Sequence, residues 1–248
     1  MVESFKITAR ELRRNLKIHV LMPDDYNQNE KRYPLIITFD GELFYNFIGE
    51  DFKVFHTEEI TKDIKDNAIL IFLHSPSNKA WRMSELNPYY NGDNKEVDTV
   101  LAFIFEEYIT NTVLPLLKQR FRVLDNQIYL VGLNEGAICA LNMVYKYKDY
   151  NGAALLNPTL SLCKDKINED LKNNFTCKKS IYLYRGGLNT SAKEDDLFYH
   201  LCTRFDSLKT EILKYEFDEA GDNSYNDLGL HFSEGIKHIL LNKWQKAD

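Results

Sequence analysis

The sequence predicts an α/β protein with a mostly parallel central sheet and helices on both faces. Two continuous apolar runs, YPLIITFDG (33–41) and NAILIFLHS (67–75), are typical of strands that are buried on both faces of a parallel sheet. Stretches with helical spacing alternate with such runs, which is the order of βαβ units. No internal repeat or low-complexity linker divides the chain, so we expect one domain over residues 1–248.

The first half of the chain carries the first of these units. In order, the patterns predict a strand at 16–23 that ends at Pro23, the strands at 33–41 and 67–75 on either side of a charged helical segment near 56–66, and a long helix at 97–121 that bends near Pro115. The first strands can pair antiparallel, because no long crossover separates them.

The second half repeats the alternation more regularly. It predicts strands at 127–132, 150–158, 179–187 and 210–221, with helices that begin near 136, 163, 193 and 231. Each strand is followed directly by a helix, as parallel pairing requires.

Composition and charge exclude several classes of protein. A net charge of −6 argues against a nucleic-acid surface, and we interpret the short basic cluster Arg10, Arg13, Arg14, Lys17 as solvated. No window approaches the about 18 apolar residues that a membrane span needs. The N-terminus lacks the apolar core of a secretory signal, so we expect a cytoplasmic protein.

The cysteines and histidines give no metal-binding spacing. The four cysteines, Cys139, Cys163, Cys177 and Cys202, are widely separated and are interpreted as reduced, mostly buried thiols. The six histidines are scattered, with no H-x-x-x-H pair. The sequence therefore predicts neither a metal site nor a cofactor.

The stretch YLVGLNEGAICALNMVYKY (129–147) carries the most informative motif. An apolar strand runs into Gly132-Leu133-Asn134-Glu135-Gly136 and then into an amphipathic helix. This is the layout in which an α/β-hydrolase presents its nucleophile, with the pattern G-x-S-x-G. Asparagine occupies the serine position.

Five pieces of the chain together resemble the esterase D / enterochelin-esterase-like branch of the α/β-hydrolases. In family order they are LKIHVLMPDDYNQNEKRYPLIITFDGELF, WRMSELNP, EEYITNTVLPLLKQRFRVLDNQIYLVGLNEGA, YNGAALLNPTL and GLHFSEGIKHIL. They span nearly the whole chain, so the resemblance implies the single-domain α/β-hydrolase fold.

The resemblance implies a triad at three positions of this sequence, and two of them are changed. The nucleophile position is Asn134, the acid position is Asn189, and His231 keeps the expected identity. An amide is not a nucleophile near neutral pH, and loss of a triad nucleophile costs about 10⁶-fold in kcat. Replacing the acid by an amide costs about 10⁴-fold. Glu194, Asp195 or Asp196 remain alternative acids.

The resemblance also implies a binding cleft around the elbow. The backbone N–H groups of Glu42 and Glu135 would form an oxyanion hole, with Asp40, Trp81 and Arg82 on the substrate side. Aromatic cleft walls would come from Trp81, Tyr45, Tyr89 and Tyr90.

Each of these residues also has a purely structural explanation. Asn tolerates the positive φ of an elbow better than most residues, and Asp40-Gly41-Glu42 is also a plain strand-end turn. His231 is also explained as an ordinary histidine near a helix start, and the aromatic residues as packing.

Three functions follow from these alternatives. The first is a catalytically impaired esterase-like protein that binds a small ester, acyl or sugar-like ligand as a binding or regulatory module. The second is an active carboxylic-ester hydrolase in which His231 acts with water or with another serine such as Ser84. The third is a partner-binding structural domain, for instance a homodimer formed through an edge strand. None of the three uses nucleic acid, a membrane or a cofactor.

Overall fold

The central feature of the molecule is one eight-stranded sheet. A computed structural model describes residues 2–45, 61–90, 99–174, 179–188, 190–208 and 212–244. The strands are β1 Val2–Ala9, β2 Arg14–Leu21, β3 Tyr33–Thr38, β4 Ile69–Leu73, β5 Val123–Leu133, β6 Gly152–Leu156, β7 Ser180–Gly186 and β8 Ile212–Asp218. Their order across the sheet is β1-β2-β4-β3-β5-β6-β7-β8.

The pairing is parallel except at one end. β2 pairs antiparallel with both β1 and β4, and every later pair is parallel. This confirms the predicted, mostly parallel α/β sheet with an antiparallel start. β1 was not predicted; its residues alternate between exposed and half-buried, as is usual for an edge strand.

Helices cover both faces of the sheet. They are α1 Glu42–Tyr45, α2 Lys79–Leu86, α3 Ala102–Tyr108, α4 Leu114–Arg120, α5 Glu135–Lys146, α6 Lys164–Asn174, α7 Ala192–Ser207 and α8 Tyr225–Trp244, with short 3₁₀ turns at Tyr26–Gln28 and Leu160–Leu162. Successive residues of a strand face opposite sides. Leu130 of β5 accordingly packs into the core beneath α5, whereas Val131 packs into the core beneath α8.

The long helix predicted at 97–121 is interrupted just before its proline. A π-helical turn, Ile109–Val113, joins α3 to α4, and the N–H of Leu114 bonds the carbonyl of Ile109. Pro115 has no N–H, and its ring conflicts with the carbonyl four residues earlier. The wide turn accommodates this conflict, and it lies next to the residue where the sequence predicts a bend.

The last helix begins six residues earlier than the sequence pattern indicated. α8 starts at Tyr225, not near 231. The cause is a cap: Ser224 Oγ accepts a hydrogen bond from the N–H of Asp227 at 3.3 Å, and the Ser224 carbonyl accepts one from the N–H of Leu228. His231 therefore lies in the second turn of the helix instead of at its start.

Two side-chain predictions have different outcomes. Cys139, Cys163 and Cys202 are buried, as predicted, and Cys177 lies outside the described residues. The prediction that the basic cluster at 10–17 is solvated is wrong for Arg14. This residue forms a bidentate ion pair with the buried carboxylate of Glu85, with hydrogen bonds of 2.8 and 2.7 Å. None of the helices that the structure describes is long and apolar enough to cross a membrane.

Candidate functional site around the strand–helix elbow

The turn between β5 and α5 has the geometry of a nucleophile elbow. Asn134, between the strand and the helix, has φ 51° and ψ −113°, a conformation that few side chains tolerate. A Cβ on Gly132 would lie 2.0 Å from the carbonyl oxygen of Gly136. Only glycine fits at 132, because strand and helix backbones touch there.

The amide of Asn134 is held by a second asparagine. Its Oδ1 accepts a hydrogen bond from Nδ2 of Asn157 at 3.0 Å. Asn157 follows β6 and also has a positive φ, of 48°. Its own Oδ1 accepts a bond from the buried Arg185 at 3.2 Å, and Arg185 donates through Nε to Asp195 at 2.8 Å. Asn134 is thus the first of four polar residues connected in series by hydrogen bonds, and Asp195 is the last.

Three of the predicted site residues form one ion cluster beside the elbow. Arg82 donates two hydrogen bonds of 2.6 Å to the carboxylate of Asp40 and a third, also of 2.6 Å, to Glu135. Asp40 is 1% exposed and Arg82 is 22% exposed. The guanidinium therefore ties together the segments that follow β3, β4 and β5.

The electrostatics of this cluster favour the ionised pair. Burial opposes the charge on Arg82, but the hydrogen bonds and charge of Asp40, with those of Glu135, outweigh it and raise the pKa of Arg82. Burial, and then the negative charge of Asp40, raise the pKa of the nearby Glu42. Asp40, Glu42 and Glu135 together carry more negative charge than one arginine neutralises.

The two predicted oxyanion-hole residues both stand at helix starts. Glu135 is the first residue of α5, and Glu42 is the first residue of α1 after the neighbouring strand β3. The first N–H groups of a helix have no intrahelical acceptor. The Glu42 carboxylate accepts the N–H of Ser75 at 2.9 Å and also its own backbone N–H. The pairing of the Glu42 and Glu135 N–H groups as an oxyanion hole therefore stays a prediction.

His231 is bound to groups other than the elbow. Its Nδ1 lies 2.8 Å from the hydroxyl of Tyr182, and its ring stacks on Tyr184 with centroids 3.4 Å apart. Its Nε2 lies 3.9 Å from Oδ1 of Asp227. Burial lowers the pKa of His231, although nearby carboxylates oppose this. In the part of the chain that the structure describes, no hydrogen bond joins His231 to Asn134.

The candidate acids do not contact His231 either. Glu194 accepts the N–H groups of Leu160 and Ser161, and Asp195 pairs with Arg185. Asp196 is exposed on α7. Asn189, the predicted acid position, lies outside the described residues.

The remaining candidates have mainly structural contacts. Trp81 packs against the core beneath α5, as does Tyr89, whose hydroxyl donates to Asp170 at 2.8 Å. Tyr90 is half-buried, and the side chain of Tyr45 is not described. Ser84 is fully buried; it bonds the carbonyl of Thr99 and accepts the N–H of Leu101, which argues against a nucleophilic role.

Sequence reasoning missed four polar residues near these groups: Asn157, Arg185, Asp218 and Asp227. Two of the four, Asn157 and Asp227, could have been recognised from local sequence patterns. Asn157-Pro158 directly follows an apolar strand, and Ser224-x-x-Asp227 is a helix-start pattern. Arg185 and Asp218 had none, because their partners are distant in sequence.

A parallel sheet in this strand order, with a glycine-lined elbow between β5 and α5, defines an α/β-hydrolase fold. The family described as "Esterase: Putative esterase" matches residues 9–223. The match spans most of the chain, so the protein belongs to this esterase family. No curated protein sequence matches the chain.

Solved structures agree with this fold. An IroE-like serine hydrolase from Shewanella oneidensis has TM-score 0.76 at 15% identity, over 96% of this chain and 79% of that one. The BES protein from Bacillus cereus has TM-score 0.74 at 17% identity, over 96% and 95%. The enterobactin esterase from Shigella flexneri has TM-score 0.70 at 15% identity, and the match covers 98% of this chain but 59% of that one. At such identities the likeness shows the fold alone.

Proposed function

We propose that this chain is a non-hydrolytic member of the esterase family that binds a small ester, acyl or sugar-like ligand beside the elbow. One observation carries the proposal: the nucleophile position is Asn134, and its amide is hydrogen-bonded to Asn157 instead of to a histidine. A binding or regulatory role then uses the cleft without its covalent chemistry.

The position of His231 supports the loss of acyl transfer. A serine attacks an acyl carbon only when a base within hydrogen-bond reach removes its proton. The ring nitrogens of His231 face Tyr182 and Asp227. A base bound elsewhere cannot activate residue 134, even if that residue becomes serine.

The groups that remain at the elbow suit a neutral polar ligand. Arg82 has five N–H donors, of which Asp40 and Glu135 use three. Two donors, together with the N–H at the start of α5, are available to a carbonyl or hydroxyl oxygen. The surplus of carboxylates around Arg82 disfavours a strongly anionic ligand.

The first test is hydrolysis of p-nitrophenyl acetate and butyrate by the purified protein. We expect no turnover above the buffer rate by the native chain or by Asn134→Ser, because neither has a base at the elbow. The variant Asn134→Ser/Asn189→Asp is assayed beside them. Hydrolysis by the native protein that disappears in His231→Ala would contradict the proposal and favour a hydrolase that uses His231 with water.

Binding is tested separately, with the same esters as probes. Chemical-shift changes of the protein amides on titration with p-nitrophenyl butyrate should saturate and should include residues of the elbow. Arg82→Gln should weaken this binding several-fold, whereas the exposed Arg10→Gln should not. Unchanged affinity in a folded Arg82→Gln variant would place the ligand elsewhere or nowhere, and the binding proposal would fail.

A further inference from the structure

A second cluster of polar residues lies away from the elbow, between the end of β8 and the first two turns of α8. Asp218, Asp227 and His231 each offer one ligand atom, and these atoms lie within 4.8 Å of one another. We propose that this cluster binds a divalent transition-metal ion through Nε2 of His231 and one carboxylate oxygen of each aspartate. The proposal is independent of what the elbow binds.

The imidazole of His231 is held in the tautomer that such a site requires. The hydroxyl of Tyr182 lies 2.8 Å from Nδ1 of His231 and 3.3 Å from a carboxylate oxygen of Glu216. An ionised carboxylate only accepts, so the single Tyr182 proton points to Glu216 and Nδ1 must donate to Tyr182. The lone pair of Nε2 then faces Asp227. Metal-binding histidines are oriented in this way by a partner on the other ring nitrogen.

The two carboxylates are oriented in a similar way. Oδ2 of Asp227 accepts the hydroxyl of Tyr184 at 2.6 Å and the N–H of Asn223 at 2.9 Å, and its Oδ1 faces His231. Oδ1 of Asp218 accepts the N–H of Ala220 at 2.9 Å, which leaves its second oxygen for another partner. His231 and Asp227 thus each have one atom fixed by the protein and one atom that faces the other.

The loop between the two aspartates is shaped to bring them together. Gly221 packs so tightly that a Cβ there would lie 2.3 Å from the hydroxyl of Tyr184. Its N–H bonds the carbonyl of Asp218 at 3.0 Å. A side chain at 221 would displace Tyr184, which holds Asp227. The close approach of the aspartates therefore depends on this glycine.

The surrounding charge favours a cation. Asp218, Asp227 and Glu216 are three carboxylates whose charges act on His231, and the ammonium group of Lys214, 3.4 Å from Glu216, opposes them. Three negative charges and one positive charge leave two negative charges, which a divalent ion would balance.

The donor set favours zinc or a neighbouring first-row ion. One imidazole nitrogen with two carboxylate oxygens suits such ions, whereas Mg²⁺ and Ca²⁺ prefer oxygen alone. Ligands about 2.1 Å from a tetrahedral Zn²⁺ lie about 3.4 Å from one another. The 3.9 Å between Nε2 of His231 and Oδ1 of Asp227 would therefore shorten by about 0.5 Å on binding, and the widest separation in the cluster, at most 4.8 Å, by at most about 1.4 Å.

The test is calorimetric titration of the chelator-treated, full-length protein with ZnCl₂ near neutral pH. We expect one Zn²⁺ per chain, not displaced by excess Mg²⁺, and the metal content after gel filtration should agree. Asp218→Asn and His231→Gln should each weaken binding more than tenfold. Tyr182→Phe should weaken it about 10–100-fold by releasing the imidazole.

Control variants distinguish a specific Zn²⁺ site from nonspecific binding of Zn²⁺ to surface residues. His200→Gln and Asp196→Asn, both exposed on α7, should bind as the native protein does. Equal losses in these controls, or native affinity in a folded Asp218→Asn variant, would overturn the proposal. Because Asp227 also lies in the first turn of α8, Asp218→Asn is the cleaner variant, and circular dichroism confirms its fold. Absence of binding by the native protein would also overturn it.

Discussion

At the scale of single residues, the ion pair of Arg14 with Glu85 gives a direct prediction about stability. The Glu85 side chain is 1% exposed, and Arg14 supplies two of its hydrogen bonds. Removing one partner leaves a buried charge, which typically costs 3–5 kcal/mol. We expect Arg14→Met to lower the free energy of unfolding by about 3 kcal/mol or more, measured by urea denaturation.

The control for this prediction is Arg10→Met, because Arg10 is exposed in the same hairpin turn. It should change stability by less than about 0.5 kcal/mol. Burial raises the pKa of Glu85, so the loss in Arg14→Met should shrink in acid, where the carboxyl becomes neutral. Equal stability of the two variants would show that the pair contributes little.

The predictability of the site also differs from residue to residue. The positive φ of Asn134 follows from the elbow pattern, and the structure has it. The bond to Asn157 could not be predicted, since it joins two turns that become neighbours only when β5 and β6 pair. The resemblance implied that Arg82 lies in the cleft. Its contacts with Asp40 and Glu135 could not be predicted, because these residues are also distant from it in sequence.

At the scale of elements, the elbow depends on the contact between two glycines. A Cβ at 132 would meet the Gly136 backbone at 2.0 Å, whereas a Cβ at 136 would meet the side chains of Asp40 and Phe39 at 3.1 and 3.3 Å. Side chains can adjust and this backbone cannot. We expect Gly132→Ala to lower the melting temperature far more than Gly136→Ala, with a stability loss of about 3 kcal/mol or more. Similar losses in the two variants would contradict this account.

Element boundaries were predictable where the chemistry is local. Pro115 marked the interruption of the long helix, since its missing N–H acts on its own turn. The predicted start of α8 is wrong because apolar periodicity does not register the cap at Ser224. His231 consequently lies in the second turn of α8 and not at its start.

At the scale of the whole molecule, one buried and one half-buried histidine predict how stability depends on pH. His19 on β2 and His74 after β4 have ring centroids 4.8 Å apart. Burial, with nearby positive charge, lowers the pKa of His19 to about 4 and that of His74 to about 3. Their unfolded pKa is about 6.5. Between these values the unfolded chain binds more protons, so stability is lost as the pH falls below about 6.5.

The measurement is the urea midpoint between neutral pH and about pH 4. Each histidine contributes at most about 1.4 kcal/mol per pH unit over this window. The variant His19→Gln/His74→Gln should show a flatter profile, whatever its stability at neutral pH. The exposed His200→Gln is the control and should keep the native slope. An unchanged slope in the double variant would assign the acid sensitivity to other groups.

The fold as a whole was more predictable than the site. Seven of the eight strands, β2 to β8, coincide with strands that the sequence predicts, and the parallel pairing among β3 to β8 follows from the helices between them. β1 alternates between exposed and half-buried residues and so lacks such a run. The relative positions of Asp218, Asp227 and His231 depend on the packing of α8 against β6 and β7, for which a sequence has no local signal.

The bond between Asn134 and Asn157 has a consequence for how the elbow could become hydrolytic. Under the proposed function, a serine at 134 would leave Nδ2 of Asn157 without its present acceptor. The hydrogen bond from Arg185 to Oδ1 of Asn157 would weaken as a result. The serine alone would give no activity, because His231 has other partners. Under the proposed function, a hydrolytic elbow would therefore need several changes at once: a serine at 134, a new acceptor for Asn157 and a base within reach of residue 134.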